Sequence, residues 1–553
     1  MTATSNVAQF MVSCLENEGV EYVFGIPGEE NIKFVRAVTA SEKIRFILAR
    51  HEQGASFMAD IYGRLTGKAG VCAATLGPGA INLLLGVADA QTDSSPVVAI
   101  TAQVGLERIY KESHQIVDLQ AMFKPVTKWA DTILTPQAVP EMVRKAFNLA
   151  QSERPGATYL AIPQDIEATA MPEGLEPLPV FSPSRNHPAA DAIEQAATRL
   201  RSAKKVIILA GHGVARQGVS NLLADFARRF NIPVATTFMA KGVISERDSL
   251  SLGVVGFMKH DYENFAFDEA DTILSVGYEL QEFAPARVNP HGDKTIIHIN
   301  TFAPDIDAHY NVAVNIHADI GLSLEALTNA LGDTPLAAMA DPARIRGLVE
   351  EELEAGRRSN DFPVKPQRAV ADIRAAMGDD DIVLADTGAI KMWMARLYPT
   401  YAPLSCLISN GLSTMAFSLP GAIGAHLARP DRKVLAVMGD GSFLMNSQEI
   451  ETAVREKIPL KVLVWVDDSY GLIKWKMDIE EGAHDSVDFG NPDFVKYAES
   501  FGAKGHQVEI ADQLLPTLRK ALDEPGVSIV ACPVDYSENM KLIDKLGHLT
   551  ISL

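Results

Sequence analysis

Cysteine is scarce in this chain: Cys14, Cys72, Cys406 and Cys532 are the whole complement in 553 residues, and they lie far apart. None has a partner at metal-site or redox spacing, so the thiols read as reduced and mostly buried, and no chemistry is assigned to them. No apolar run is long enough to cross a bilayer, which removes a membrane as partner. The opening residues, Met1-Thr-Ala-Thr-Ser-Asn6, lack the basic start and apolar core of a secretory signal, so a cytoplasmic protein is expected. Basic clusters are missing too. With 50 Lys and Arg against 70 Asp and Glu the formal charge is −20, which argues against a nucleic-acid surface. A small anion could still bind, held by a metal, by backbone N–H groups or by a few placed donors.

What is present is a long globular chain. Its length exceeds what one hydrophobic core supports, and three domains are expected. Residues 172–189 carry Pro172, Pro177, Pro179, Pro183 and Pro188 with little periodicity and read as a linker. Residues 333–366 form a weaker break, with an acidic helical stretch (Leu348-Val-Glu-Glu-Glu-Leu353) followed by Asn360-Asp-Phe-Pro-Val-Lys-Pro366. The domains therefore run 1–172, 190–333 and 366–553. In each, short apolar runs alternate with helical patterns, the signature of an α/β fold with doubly wound parallel sheets. In the middle segment Lys205-Val-Ile-Ile-Leu-Ala210 runs into Gly211-His-Gly213. This turn lacks the third glycine and acidic partner of a dinucleotide fingerprint, so tight strand–helix packing is the expected reason for its glycines.

The strongest pattern lies near the C-terminus. Val434-Leu-Ala-Val-Met438 leads into Gly439-Asp440-Gly441, and Val462-Leu-Val-Trp-Val466 leads into Asp467-Asp468. Between them, Asn446 is placed to cap a helix, with Glu449 three residues on and Ile450, Ala453 and Val454 along one face. In such a βαβ unit both parallel strands finish at the same sheet edge, so Asp440 and Asp467 should emerge side by side. A lone Gly-Asp-Gly is an ordinary turn, but a second aspartate at crossover distance points to a hard cation. Gly441 lets backbone approach a ligand closely, and nearby N–H groups suit phosphate oxygens. Magnesium with a diphosphate fits, the protein giving Asp440, Asp467 and the backbone carbonyl of Ser469.

These residues resemble the diphosphate-binding signature of the thiamine-diphosphate enzymes, whose chains carry pyrimidine-binding, central and diphosphate-binding domains in that order. Further segments are similar to the acetolactate synthases, the catabolic, FAD-independent kind above all: Phe24-Gly-Ile-Pro-Gly28, Arg50-His-Glu52, Gly63-Arg-Leu-Thr-Gly67, Gly77-Pro-Gly79, His114-Gln115, Ile408-Ser-Asn-Gly411, Thr414-Met415 and Tyr497-Ala-Glu-Ser-Phe-Gly-Ala-Lys504. Most of the family has paired asparagines where this chain has Asp467-Asp468; an aspartate keeps the oxygen donor and adds charge.

The resemblance implies roles residue by residue. Glu52 would share a proton with N1′ of the cofactor's aminopyrimidine, a task that limited access to water favours. Met415 would pack beneath the bent cofactor, its N–H reaching the pyrimidine, while the Ser413 carbonyl receives the 4′-amino group. Gly28 belongs to the same cofactor site. Gly388, Ala389, Ile390, Gly439, Gly441 and Ser442 would meet the diphosphate. His114 and Gln115 would orient substrate, in a pocket bounded by Glu29, Phe123, Leu472, Ile473 and Trp475. Trp475 resembles the anabolic members more than the catabolic ones. FAD is not expected, because Gly277-Tyr-Glu-Leu-Gln-Glu-Phe283 lacks the arginine-bearing pattern of the FAD-dependent synthases.

The implied reaction is decarboxylation of pyruvate, or a related 2-oxo acid, and joining of the remaining fragment to a second 2-oxo acid to give 2-acetolactate. In the family the glutamate and the diphosphate site meet across subunits, which implies a dimer or a dimer of dimers. Two alternatives stand beside this. A 2-oxo acid decarboxylase would release an aldehyde, and the acids in Gly28-Glu29-Glu30-Asn31 resemble that group, although its paired histidines are missing here. A non-catalytic ThDP-binding regulator is the other, opposed by an intact Glu52.

Overall fold

The structure is a computed structural model describing residues 5–181, 184–256, 261–333, 335–337 and 342–540. Pro183 of the first expected linker, residues 334 and 338–341 of the second break, and residues 1–4 of the N-terminal segment lie outside these ranges. By compactness the chain divides into two units: Met1–Pro183 with Ser409–Asp431 and Leu444–Leu460, and Ser184–Ile408 with Arg432–Phe443 and Lys461–Leu553.

The first unit is built on a six-stranded sheet of β1 (Tyr22–Gly25), β2 (Arg45–Leu48), β3 (Gly70–Ala74), β4 (Val97–Gln103), β5 (Trp129–Thr132) and β6 (Ala157–Pro163), in the order β2-β1-β3-β4-β6-β5. All its pairings are parallel. Every residue of β3, β4 and β6 is buried, as expected of strands covered by helices on both faces. One cover is the helix Glu52–Thr66, which packs along the helix Ser418–Ala428 so closely that a Cβ on Gly424 would lie 2.3 Å from the Met58 carbonyl oxygen.

The second unit holds two sheets. One comprises β7 (Val206–Ala210), β8 (Val234–Thr236), β9 (Ser251–Val254), β10 (Thr272–Val276), β11 (Thr295–Asn300) and β12 (Val312–His317), ordered β12-β11-β10-β7-β8-β9. This is the dinucleotide-binding order, with Gly211-His-Gly213 after the strand where a phosphate turn belongs. The chain fills that turn itself. The Glu282 carboxylate accepts the His212 N–H at 3.1 Å and the Glu279 N–H at 2.9 Å, and burial with the neighbouring Glu279 charge pushes Glu282 up to about 8. Close packing accounts for the glycines, since a Cβ on Gly211 would meet the Tyr278 Cα at 2.2 Å.

The other sheet comprises β13 (Ile382–Ala385), β14 (Cys406–Leu407), β15 (Val434–Gly439), β16 (Lys461–Val466), β17 (Lys504–Gln507) and β18 (Ser528–Pro533), ordered β14-β13-β15-β16-β18-β17. Numbered from their own first strands, this sheet and the first unit's sheet share one order. The expected α/β class with three parallel sheets is therefore observed. β15 and β16 pair in parallel with Gly439 opposite Trp465, so the residues after them share one edge.

One local expectation is corrected. The segment joining β15 and β16 is two short helices, Asp440–Asn446 and Glu449–Arg455. Asn446 ends the first rather than capping the second, and its Nδ2 donates to the Ala416 carbonyl at 2.9 Å.

Candidate active site

In an open parallel sheet, ligands bind beyond the carboxyl ends of the strands where the strand order reverses. In the third sheet that point lies between β13 and β15, and both strands end there in glycine-bearing turns. After β13, Asp386 is fully buried and its Oδ1 accepts the Thr387 N–H at 2.8 Å and the Ser442 hydroxyl at 2.6 Å. Gly388, at φ +136°, then starts the helix Ala389–Leu397, of which Ala389 and Ile390 are buried. Nothing lies within 4 Å of a Cβ built on Gly388 or on Gly439. Gly441 is tighter, its Cβ position lying 2.8 Å from the Tyr470 ring.

Asp440 and Asp467 come together as the crossover requires. Asp440 Oδ2 accepts the N–H groups of Asp467 at 3.1 Å and Asp468 at 2.8 Å and the Asn491 Nδ2 at 2.8 Å, while Oδ1 accepts the Gly441 N–H at 2.8 Å. Asp467 Oδ2 accepts the hydroxyl of buried Ser469 at 2.9 Å. Burial, and then the Asp440 charge, pushes Asp467 up to about 7; burial also raises Asp440. Two carboxylates this close oppose each other's charge, and a cation bound beside them would relieve that opposition. Among the described residues no cluster of three His, Cys, Asp or Glu is suited to a metal, so the other ligands of a cation here would be backbone, phosphate and water oxygens. The buried hydroxyl of Thr387, beside Gly388, has no hydrogen-bond partner. A magnesium diphosphate fits this edge: carboxylates for the ion, an orphaned hydroxyl and open glycine backbone for the phosphates.

The helix Gly471–Glu480 follows Ser469. Trp475 is buried in the hydrophobic core and Leu472 packs against that core, whereas Ile473 is exposed.

The first unit holds the proposed proton relay. Glu52 opens its helix, with His51 as cap accepting the Gln53 N–H at 3.1 Å. Only 8% of Glu52 is exposed, and its Oε2 accepts the Asn82 Nδ2 at 3.0 Å. Gly79 keeps the space beside it open, since a Cβ there would lie 3.1 Å from Glu52 Oε1. Glu449 accepts the N–H groups of Arg50 at 3.1 Å and His51 at 2.9 Å, along with the Thr452 hydroxyl at 2.6 Å. Burial pushes Glu449 up to about 7.

Gly28 donates its N–H to Asn31 Oδ1 at 2.8 Å, and a Cβ on it would strike Thr75. Glu29 is exposed, and neighbouring Glu30 accepts the Thr75 hydroxyl at 2.7 Å. His114 and Gln115 lie on an exposed loop, with Gln115 at φ +59° and its carbonyl oxygen 2.8 Å from the Cβ position of Gly77. Phe123 is fully buried and stacks on Tyr159 with ring centroids 3.9 Å apart. Ser413, exposed and at φ +51°, and half-buried Met415 lie on the loop that precedes the helix Ser418–Ala428. Sequence reasoning passed over Asn491 and Thr387 and read Glu449 only as part of a helix start, because the partners of these polar residues come near only in the fold.

Comparison with known proteins decides what this edge belongs to. Residues 5–122 match "Thiamine pyrophosphate enzyme, N-terminal TPP binding domain", residues 193–327 match "Thiamine pyrophosphate enzyme, central domain", and residues 386–532 match "Thiamine pyrophosphate enzyme, C-terminal TPP binding domain". The chain belongs to the thiamine-diphosphate-dependent enzymes. Its relatives include the acetolactate synthase of Bacillus subtilis, 35% identical over 98% of this chain and 95% of the relative. The catabolic acetolactate synthase of Raoultella terrigena is 36% identical over 98% and 97%, and the Escherichia coli acetolactate synthase isozyme 1 large subunit is 31% identical over 96% and 94%. A thiamine-diphosphate-dependent carboligase of the acetolactate synthase group is the coarse function these likenesses support. No helix among the described residues is long and apolar enough to cross a membrane.

Proposed function

We propose that the chain decarboxylates pyruvate, or a related small 2-oxo acid, and joins the remaining fragment to a second 2-oxo acid to form 2-acetolactate. The observation that carries this reading is the paired Asp440 and Asp467 at the switch point of the third sheet, in a chain that also keeps a buried glutamate, Glu52, at a helix start. Bound thiamine diphosphate would supply the electron sink for decarboxylation. Asp440, Asp467 and the Ser469 carbonyl hold Mg2+, and Gly388, Ala389, Ile390, Gly439, Gly441 and Ser442 receive the diphosphate. Gly28, Ser413 and Met415 hold the pyrimidine end, where Glu52 exchanges a proton with a ring nitrogen.

His114 and Gln115 orient the 2-oxo acid. Glu29, Leu472 and Ile473 border its pocket, with Phe123 and Trp475 shaping the wall from behind. The domains run 1–172, 190–333 and 366–553, and the enzyme works without FAD as a cytoplasmic dimer or tetramer whose subunits complete one another's sites. Incubation with pyruvate and Mg2+ tests the reaction: acetolactate is the expected main product, and acetaldehyde as the main product would replace the synthase reading with a decarboxylase.

A further inference from the structure

The segment from Ser409 to Ala416 crosses the surface of the helix Pro78–Thr92 in a conformation that costs energy. Ser413 and Ala416 both sit in the left-handed region, at φ +51° and +68°, where a residue with a side chain is disfavoured. Gly411 presses on the helix so closely that a Cβ would lie 2.6 Å from the Thr92 Cβ.

Two buried carboxylates from that helix region hold the loop. Asp89 Oδ1 accepts the Ser409 hydroxyl at 2.6 Å and the Thr414 hydroxyl at 2.8 Å. Asp93 accepts the Asn410 N–H at 2.8 Å and the Gly411 N–H at 2.6 Å. Within the loop, the Thr414 N–H donates to the Ser409 hydroxyl at 2.7 Å, tying its two ends together. Beneath lies Arg64, which donates to Asp93 at 3.2 Å and to Asp60 at 2.9 Å.

Asp60, Asp89 and Asp93 are all 0% exposed, so three carboxylates share one guanidinium out of contact with water. An apolar cluster of similar volume would stabilise the fold at least as well, because burying unbalanced charge is costly. The arrangement therefore reads as serving position rather than stability. Burial, with the charges of Asp93 and Asp60, raises Asp89 well above the usual carboxylate range. Its Oδ2 has no hydrogen-bond partner, so the two loop hydroxyls are the hydrogen bonds this carboxyl group makes on Oδ1.

We infer that Asp89 and Asp93 are positioning residues that hold the Ser409–Ala416 loop in the conformation that presents Ser413 and Met415 to the cofactor. This rests on the reading of Ser413 and Met415 given above. Removing the two hydroxyls leaves Asp89 and Asp93 in place and releases the loop from Asp89.

The test titrates the full-length, cofactor-stripped protein with thiamine diphosphate at saturating Mg2+ by calorimetry. The double variant Ser409→Ala/Thr414→Val should raise the cofactor Kd about tenfold or more, as expected for the loss of the two hydroxyl bonds to Asp89 and of the Thr414 N–H bond to the Ser409 hydroxyl. Its KM for pyruvate at saturating cofactor should stay at the wild-type value, and hydrogen exchange of the 409–416 amides should quicken. Asp93→Asn should weaken binding as well, because the Arg64 pairing and two amide bonds are compromised. A lowered Tm with unchanged cofactor Kd and unchanged loop exchange in the double variant would overturn the positioning role. Met415→Ala separates the two levels. If it weakens binding while the double variant does not, only the tether fails; if it leaves binding unchanged, the loop assignment fails and the tether with it.

Discussion

Glu449 accepts the backbone N–H of His51 at 2.9 Å, across 398 positions of sequence, and His51 is the residue before Glu52. The same carboxylate takes the Arg50 N–H, so the start of the Glu52 helix is anchored by a side chain from the segment after the Gly439-Asp440-Gly441 turn. Glu449→Ala should cost roughly 2–4 kcal/mol by leaving buried donors unsatisfied. Glu449→Gln, which keeps one acceptor, should cost less.

The pH dependence of that pair follows from sign. Glu449 titrates higher in the folded protein, at about 7, than in the unfolded chain, so its contribution to stability is present below about 4.5 and is lost as pH rises through about 7. Between pH 5 and 8 the stability gap between wild type and Glu449→Gln should therefore shift in favour of the variant, by up to roughly 3 kcal/mol. Urea titrations at both pH values measure it, and a gap independent of pH would refute it.

Glu52→Gln should keep the fold and the cofactor affinity while lowering turnover about 100-fold or more, the range of a lost general acid–base group. Steady-state rates beside a cofactor titration check this. Unchanged turnover would remove Glu52 from the proton relay.

Asp440→Ala and Asp467→Ala should each raise the Mg2+ needed for half-maximal activity by about 10–100-fold or more, in keeping with the loss of metal affinity when coordination is disturbed. Dialysis against a chelator should abolish wild-type activity, and added Mg2+ should restore it. Activity indifferent to the chelator would exclude the ion.

Two glycines separate packing from binding. Gly424→Ala places a methyl against the Met58 carbonyl and should destabilise by about 1–3 kcal/mol, seen as a lowered Tm. Gly439→Ala meets open space and should leave Tm unchanged while weakening thiamine diphosphate binding. Wild-type cofactor affinity in Gly439→Ala would show that the space beside it holds no phosphate.

At a Mg2+ concentration that saturates the wild type but not Asp440→Ala, mixing Glu52→Gln with Asp440→Ala, after dissociation and reassociation, should give activity above that of either alone, because one site in a mixed dimer is intact. No recovery from a verified mixed oligomer would place both groups within one subunit's site.

Sequence by itself determined the class of fold and the pairing of Asp440 with Asp467. Parallel strands joined by a crossover must end at one edge, whatever fills the space between them, and short apolar runs ending in glycine mark such strands. It also singled out Glu52 as a candidate, through the motifs around it, and the fold buries that residue at a helix start. Local spacing was less dependable at Asn446, where a break between two short helices turned an expected cap into a helix end bonded to Ala416. The glycines of Gly211-His-Gly213 were correctly referred to packing, but that Glu282 fills the turn needed the fold.

Tertiary structure alone decided which distant polar residues pair. Glu449 meets His51, Asp89 meets Ser409 across 320 positions, and Asn491 meets Asp440 across 51. No local pattern announces these pairs, because a buried carboxylate is chosen by whichever unsatisfied donor the folded backbone leaves beside it. The pattern of apolar residues is periodic and so readable along the chain; the satisfaction of buried polar groups is a three-dimensional constraint, met only once distant segments have come together.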